Sequence, residues 1–170
     1  MKSIILCDNN ISYKYFGMAN NQTKKNSLMS HMSPQVASPQ RTEKNRSDRQ
    51  NLIHVFLEIT TAVKLYHWTT QSYAEHKATD ELYERLNDHV DKFVEVLLGK
   101  KDDRLKNLDR HIPLRNYKST ADLKTRLYQY RDYLSNLDSC LDAKHDTDLL
   151  NIRDEILADL NQFLYLLTLH

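Results

Sequence analysis

Residues 67–95 read HWTTQSYAEHKATDELYERLNDHVDKFVE, and the spacing of their histidines and acids organises the rest of the chain. His76 and Asp80 lie four residues apart, and so do Asp91 and Glu95. Four residues is just over one helical turn, so each pair projects from one helix face, as two ligands of one metal ion must. The pairs also share that face, because the step from Asp80 to Asp91 leaves an angular offset of only about 20° at about 100° per residue. Along the axis, however, they stand roughly 16 Å apart, whereas metal bonds to oxygen or nitrogen are about 2 Å long. One copy of the helix therefore cannot close both pairs on one ion. Either the pairs are unrelated, or a second copy brings its Asp91 and Glu95 to the first copy's His76 and Asp80.

Outward from this stretch the chain reads as all-α. Its 170 residues contain only two glycines and three prolines, far fewer than the turns of a β-rich domain require, and 40% are apolar, enough for one domain with a real core. Ser47 with Gln50 makes a capping-box pattern, and Leu52, Phe56, Ile59, Val63 and Tyr66 then recur at helical spacing, which predicts a first helix over 48–68. Ser72 with Glu75 makes a second such pattern, so a new helix is expected from Tyr73 to Leu98 with Gly99 as a left-handed stop. His67 then ends one helix while His76 opens the next, and a reversal at residues 69–72 can bring them together. A third helix is expected over 120–142 on the stripe Leu123, Leu127, Tyr130, Leu134, Leu137 and Leu141. A fourth is expected over 147–169 on Leu149, Ile152, Ile156, Leu160, Phe163 and Leu167, with Leu150, Leu157 and Leu164 as a second row. Four such helices specify an antiparallel four-helix bundle over residues 47–170. The longest connection, 100–118, suits a ferritin-like crossover, and simple up-down order stays open beside it.

Residues 1–46 show no apolar periodicity and are rich in Asn, Ser, Gln and Lys, the composition of a disordered arm. The first fifty residues carry eight basic side chains against three acidic ones, and the remainder carries 16 against 20, so a basic arm precedes a mildly acidic body. Lys24, Lys25, Arg41, Lys44 and Arg46 are the arm's candidate contacts to nucleic acid, with a merely solubilising arm as the plainer reading. Met18 is an alternative start. Cys7 and Cys140 make no disulfide framework, and the apolar runs IILC and FLYLL are too short for a signal or a membrane span. A cytoplasmic protein, associated with DNA if the arm binds it, is expected.

The stretch KLYHWTTQSYAEHKATDELYERLNDHVDKFVEVLLG resembles the signature of the Dps mini-ferritins, which oxidise and store iron and often coat DNA. What matches is the His67-Trp68 pair, His76 with Asp80, and Asp91 with Glu95. IPLRNYKSTADLKTRLYQYRDYL and DEILADLNQFLYLLTL resemble the family's approach to its third helix and its last helix. The resemblance implies a ferritin-like bundle and a ferroxidase centre between two-fold related subunits. There His67, His76 and Asp80 of one chain would face Asp91 and Glu95 of the other, with Trp68 beside them as an electron sink. It further implies iron as Fe(II) and Fe(III), one or two ions per site, and a homo-oligomer that is at least a dimer and in the family a twelve-chain shell. This chain's turn after His67 is shorter than the family's and lacks glycine. The plainer reading makes the four ligand candidates a solvated helix face and Trp68 a helix-end anchor. A bundle that compacts DNA or scaffolds partners without oxidising iron is the alternative function.

Overall fold

The computed structural model describes residues 39–101, 104–105 and 111–169, with side chains from Arg49 onward except those of Lys101 and Ser139. Four helices make up the fold: α1 (Pro39–Thr69), α2 (Tyr73–Lys101), α3 (Thr120–Ser135) and α4 (Thr147–Leu166). A 3-10 turn, Asn136–Ser139, prolongs α3, and no strand occurs among the described residues.

The direction of each helix follows from what meets at its ends. Tyr66 near the end of α1 donates to Glu75 at the start of α2, and Thr120 at the start of α3 donates to the same carboxylate. Lys124 of α3 donates to the carbonyl of Leu167, just past α4. The end of α1, the starts of α2 and α3 and the end of α4 therefore share one pole. At the other pole Lys100 of α2 bonds Asp148 of α4 at 2.7 Å and Asp146 before it at 3.0 Å. Thus α2 and α3 run the same way, α1 and α4 run against them, and the end of α2 and the start of α3 lie at opposite poles. Simple up-down order is not the one formed. Each of α1 and α4 packs against both α2 and α3.

The periodic stripes lie where helical spacing put them. Phe56, Ile59, Val63, Leu123, Leu127, Tyr130, Leu134, Leu149, Ile156, Leu160 and Phe163 are wholly buried, and α2 adds Leu82, Leu86 and Phe93. Phe56 meets Phe93 edge to face at 5.1 Å. Glu58 of α1, itself buried, pairs with the largely covered Arg126 of α3 at the edge of this core, and the Arg126 guanidinium lies 4.5 Å over the Tyr130 ring.

Element ends differ from expectation in four places. Helix α1 starts at Pro39 rather than 48, so Ser47 and Gln50 lie inside it. Proline suits a first helical position, and nothing from Gln40 to Arg49 is a breaker. Arg41, Lys44 and Arg46, expected in the arm, thus belong to α1, while Lys24, Lys25 and the rest of residues 1–38 lie outside the described residues. Gly99 is not a left-handed stop: α2 runs through it to Lys101, and Lys100 anchors that last turn to the start of α4. Helix α3 gives way at Ser135, where Asn136 turns its amide back onto the carbonyl of Asp132 and Arg153 takes that of Leu134. Helix α4 ends at Leu166 rather than 169.

Candidate metal centre

The turn between α1 and α2 is built from its own polar side chains. Helix α1 closes with Thr70 N–H on the carbonyl of Tyr66 and opens into α2 with His76 N–H on that of Ser72. Ser72 accepts Glu75 N–H only loosely, at 3.4 Å. The Glu75 carboxylate does not reach back as in a capping box. Instead it accepts from Tyr66 Oη, Thr70 Oγ1 and Thr120 Oγ1, each at 2.7 Å, and so ties α1, the turn, α2 and α3 together.

Beside this knot the two histidines meet. Their rings stack at 3.9 Å between centroids with planes inclined by 22°. His67 Nδ1 lies 3.0 Å from the carbonyl of His76, and His76 Nδ1 lies 3.0 Å from the carbonyl of His67. A carbonyl only accepts, so both Nδ1 atoms carry hydrogen, and each neutral ring keeps its lone pair on Nε2. Thr79 Oγ1, 3.2 Å from His67 Nδ1, steadies the buried ring. The short turn without glycine therefore does bring His67 to His76, and Asp80 follows one turn on, with Oδ1 at 3.7 Å from His67 Nε2.

A cation already stands there. Lys64, one turn before His67, places Nζ at 3.7 Å from Asp80 Oδ1, 4.5 Å over the Tyr83 ring and 5.9 Å from the Trp68 ring. Trp68 is 67% exposed and so is no anchor against this chain's own core; Tyr73, across the turn, is 75% exposed. Asp91 and Glu95 lie exposed further along α2. Among the described residues no three His, Cys, Asp or Glu side chains close on one point within the chain. His67 meets His76 on one side and Asp80 on the other, and Asp91 and Glu95 stand apart from them, as their axial separation requires.

Sequence reasoning missed three contributors. Glu75 was readable only as a cap, since its partner Thr120 lies 45 residues away. Lys64 carried a signal, its position one turn before His67. His89 is held between α2 and α4, with its nitrogens 3.1 Å from Glu155 and Asp159 and with Arg85 on Asp159 at 3.0 Å.

Burial pushes the Glu75 carboxyl up, but the hydroxyls of Thr70, Tyr66 and Thr120 and the Lys124 ammonium outweigh it and hold the group below its ordinary range. A depressed folded value means that Glu75 contributes stability above the unfolded value of about 4.3 and loses it as pH falls through the folded one. Wild-type protein is therefore expected to exceed Glu75→Gln in stability most clearly above about pH 5, with the gap closing as pH falls below the unfolded value of about 4.3. Urea unfolding across that range is the check, and a gap constant with pH would contradict it.

No described helix is long and apolar enough to cross a membrane. No curated protein and no solved structure matches the chain. The model of a family of unknown function, DUF5856, matches residues 67–167, from the first of the two histidines to the cap of α4, and the chain belongs to that family.

Proposed function

We propose that this chain is a Dps-like iron protein: a ferritin-like antiparallel four-helix bundle that binds Fe(II) between two-fold related copies, oxidises it and retains the product. The observation that carries this reading is the reciprocal histidine pair, which engages both Nδ1 atoms and leaves His67 Nε2 3.7 Å from Asp80, together with the in-phase carboxylates of Asp91 and Glu95 on the same helix. The crossover between α2 and α3 supports the ferritin-like part.

The stacking favours two ions over one. A lone pair lies in its ring plane, and planes inclined by 22° with centroids 3.9 Å apart converge too slowly to meet at bonding distance from both nitrogens. His67 and His76 would each serve a separate Fe(II), a borderline cation that accepts imidazole and carboxylate together, with Asp80 alongside and Asp91 and Glu95 of a second copy completing the set. Two Fe(II) supply the two electrons that reduce one peroxide, with two protons, to two waters; dioxygen is the other candidate oxidant. A twelve-chain shell to hold ferric product, and DNA binding through the basic arm, belong to the same reading.

One observation favours a second reading, a bundle that compacts DNA or scaffolds partners without oxidising iron: the Lys64 ammonium already compensates Asp80. Metal analysis of purified protein with an Fe(II) oxidation assay separates the two. The iron reading expects close to two Fe(II) per site and oxidation well above the protein-free rate; protein that takes up no iron and adds nothing to that rate would overturn it.

A further inference from the structure

Tyr66 precedes His67 and Glu75 precedes His76, so the hydroxyl–carboxylate bond and the histidine exchange are adjacent rungs across one helix junction. The carbonyl of His67 falls in the last turn of α1, where the helix supplies no N–H of its own, and His76 Nδ1 takes that vacancy. The histidine pair ties only α1 to α2, by two bonds that reach no third element. The Glu75 carboxylate does reach a third, since it gathers Tyr66 from α1, Thr70 from the turn and Thr120 from α3 onto its two oxygens. Tyr66 Oη is also 3.0 Å from Thr120 Oγ1, which closes the knot.

We infer that Glu75 is the positioning residue of the histidine pair: by fixing the junction of α1, α2 and α3 it holds both imidazoles as their Nδ1–H tautomers, with Nε2 left as the lone-pair donor for a cation. An unconstrained neutral imidazole exchanges between tautomers, and only a partner on one nitrogen commits the other to accept or ligate. Loosening the junction separates each Nδ1 from its carbonyl and releases that commitment at both rings at once. The cation in question rests on the iron reading above, whereas the tautomer lock is a property of the metal-free chain.

The test reads the rings directly. Long-range nitrogen–proton NMR of metal-free protein at about pH 8.5, well above the ordinary imidazole pKa of about 6.5, distinguishes the two tautomers at each histidine. Wild-type protein is expected to show His67 and His76 almost wholly as Nδ1–H. Glu75→Ala is expected to move both rings together to comparable populations of the two forms, and to weaken Co(II) binding about tenfold. Tyr66→Phe and Thr120→Val each remove one hydroxyl while keeping the packing, and each is expected to give a smaller shift of the same sign, so the inference does not depend on Glu75→Ala folding. Variants that keep wild-type helicity and cooperative melting while both rings remain Nδ1–H would overturn it, as would a wild-type protein with mixed tautomers. Wild-type protein with locked tautomers that takes up no iron would sink the iron reading and leave this one standing.

Discussion

Glu58→Ala is expected to cost about 3–5 kcal/mol of stability, the range for breaking a buried ion pair by removing one partner. Glu58 is 2% exposed and sits on the core stripe of α1, where an aliphatic residue would otherwise stand. Its partner Arg126 comes from α3 with little of its side chain exposed, and that guanidinium also bonds Gln129 and stacks on Tyr130. Arg126 Nε is itself buried without a hydrogen-bond partner, so removing the counter-charge leaves a mostly desolvated guanidinium with one more group unmatched. Glu58→Gln keeps the shape and one acceptor and is expected to cost less, about 1–3 kcal/mol. Urea unfolding at neutral pH measures both, and a loss under about 1 kcal/mol for Glu58→Ala would mean that Arg126 finds water or another carboxylate.

The second large effect falls on chemistry and leaves the fold alone. Asp91 and Glu95 are exposed on the outer face of α2, so replacing both by alanine is expected to change stability by no more than about 0.5 kcal/mol per site. The same change removes the anionic half of the proposed iron site. Rapid Fe(II) oxidation is expected to fall to the protein-free rate and site-bound iron to disappear, with helicity unchanged. Oxidation persisting at the wild-type rate would place the site elsewhere.

The helical stripes were legible in the sequence because burial acts on every third or fourth residue. Leu123, Leu127, Tyr130 and Leu134 could face nothing but a core, and all four are wholly buried. What the periodicity hid were features set by tertiary partners. Gly99 reads as a stop until Lys100 is seen tied to Asp148, and His89 reads as solvated until Asp159 arrives from 70 residues away. The start of α1 was missed for a different reason: Ser47 and Gln50 form a good cap, but a helix already under way from Pro39 has no use for one. At the site, spacing gave His76 with Asp80 and Asp91 with Glu95. It could not give the His67–His76 stack, which depends on how tightly residues 69–72 reverse, nor the carboxylate of Glu75 that sets that reversal. Lys64 was within reach of the same helical arithmetic, one turn before His67, yet a lone lysine in a helix reads as ordinary surface.

On the proposed reading, the separation of roughly 16 Å between Asp80 and Asp91 on one rigid helix keeps one chain from completing the site and calls for a two-fold axis across α2. Subunit mixing tests that most directly. A His76→Ala, Asp80→Ala chain and an Asp91→Ala, Glu95→Ala chain are each expected to be inactive alone. In their heterodimer one site is doubly damaged and the other is intact, so purified heterodimer is expected to oxidise Fe(II) at about half the wild-type rate. A heterodimer as inactive as its parents, or a wild-type protein that is monomeric by light scattering and still oxidises iron at full rate, would contradict the shared site.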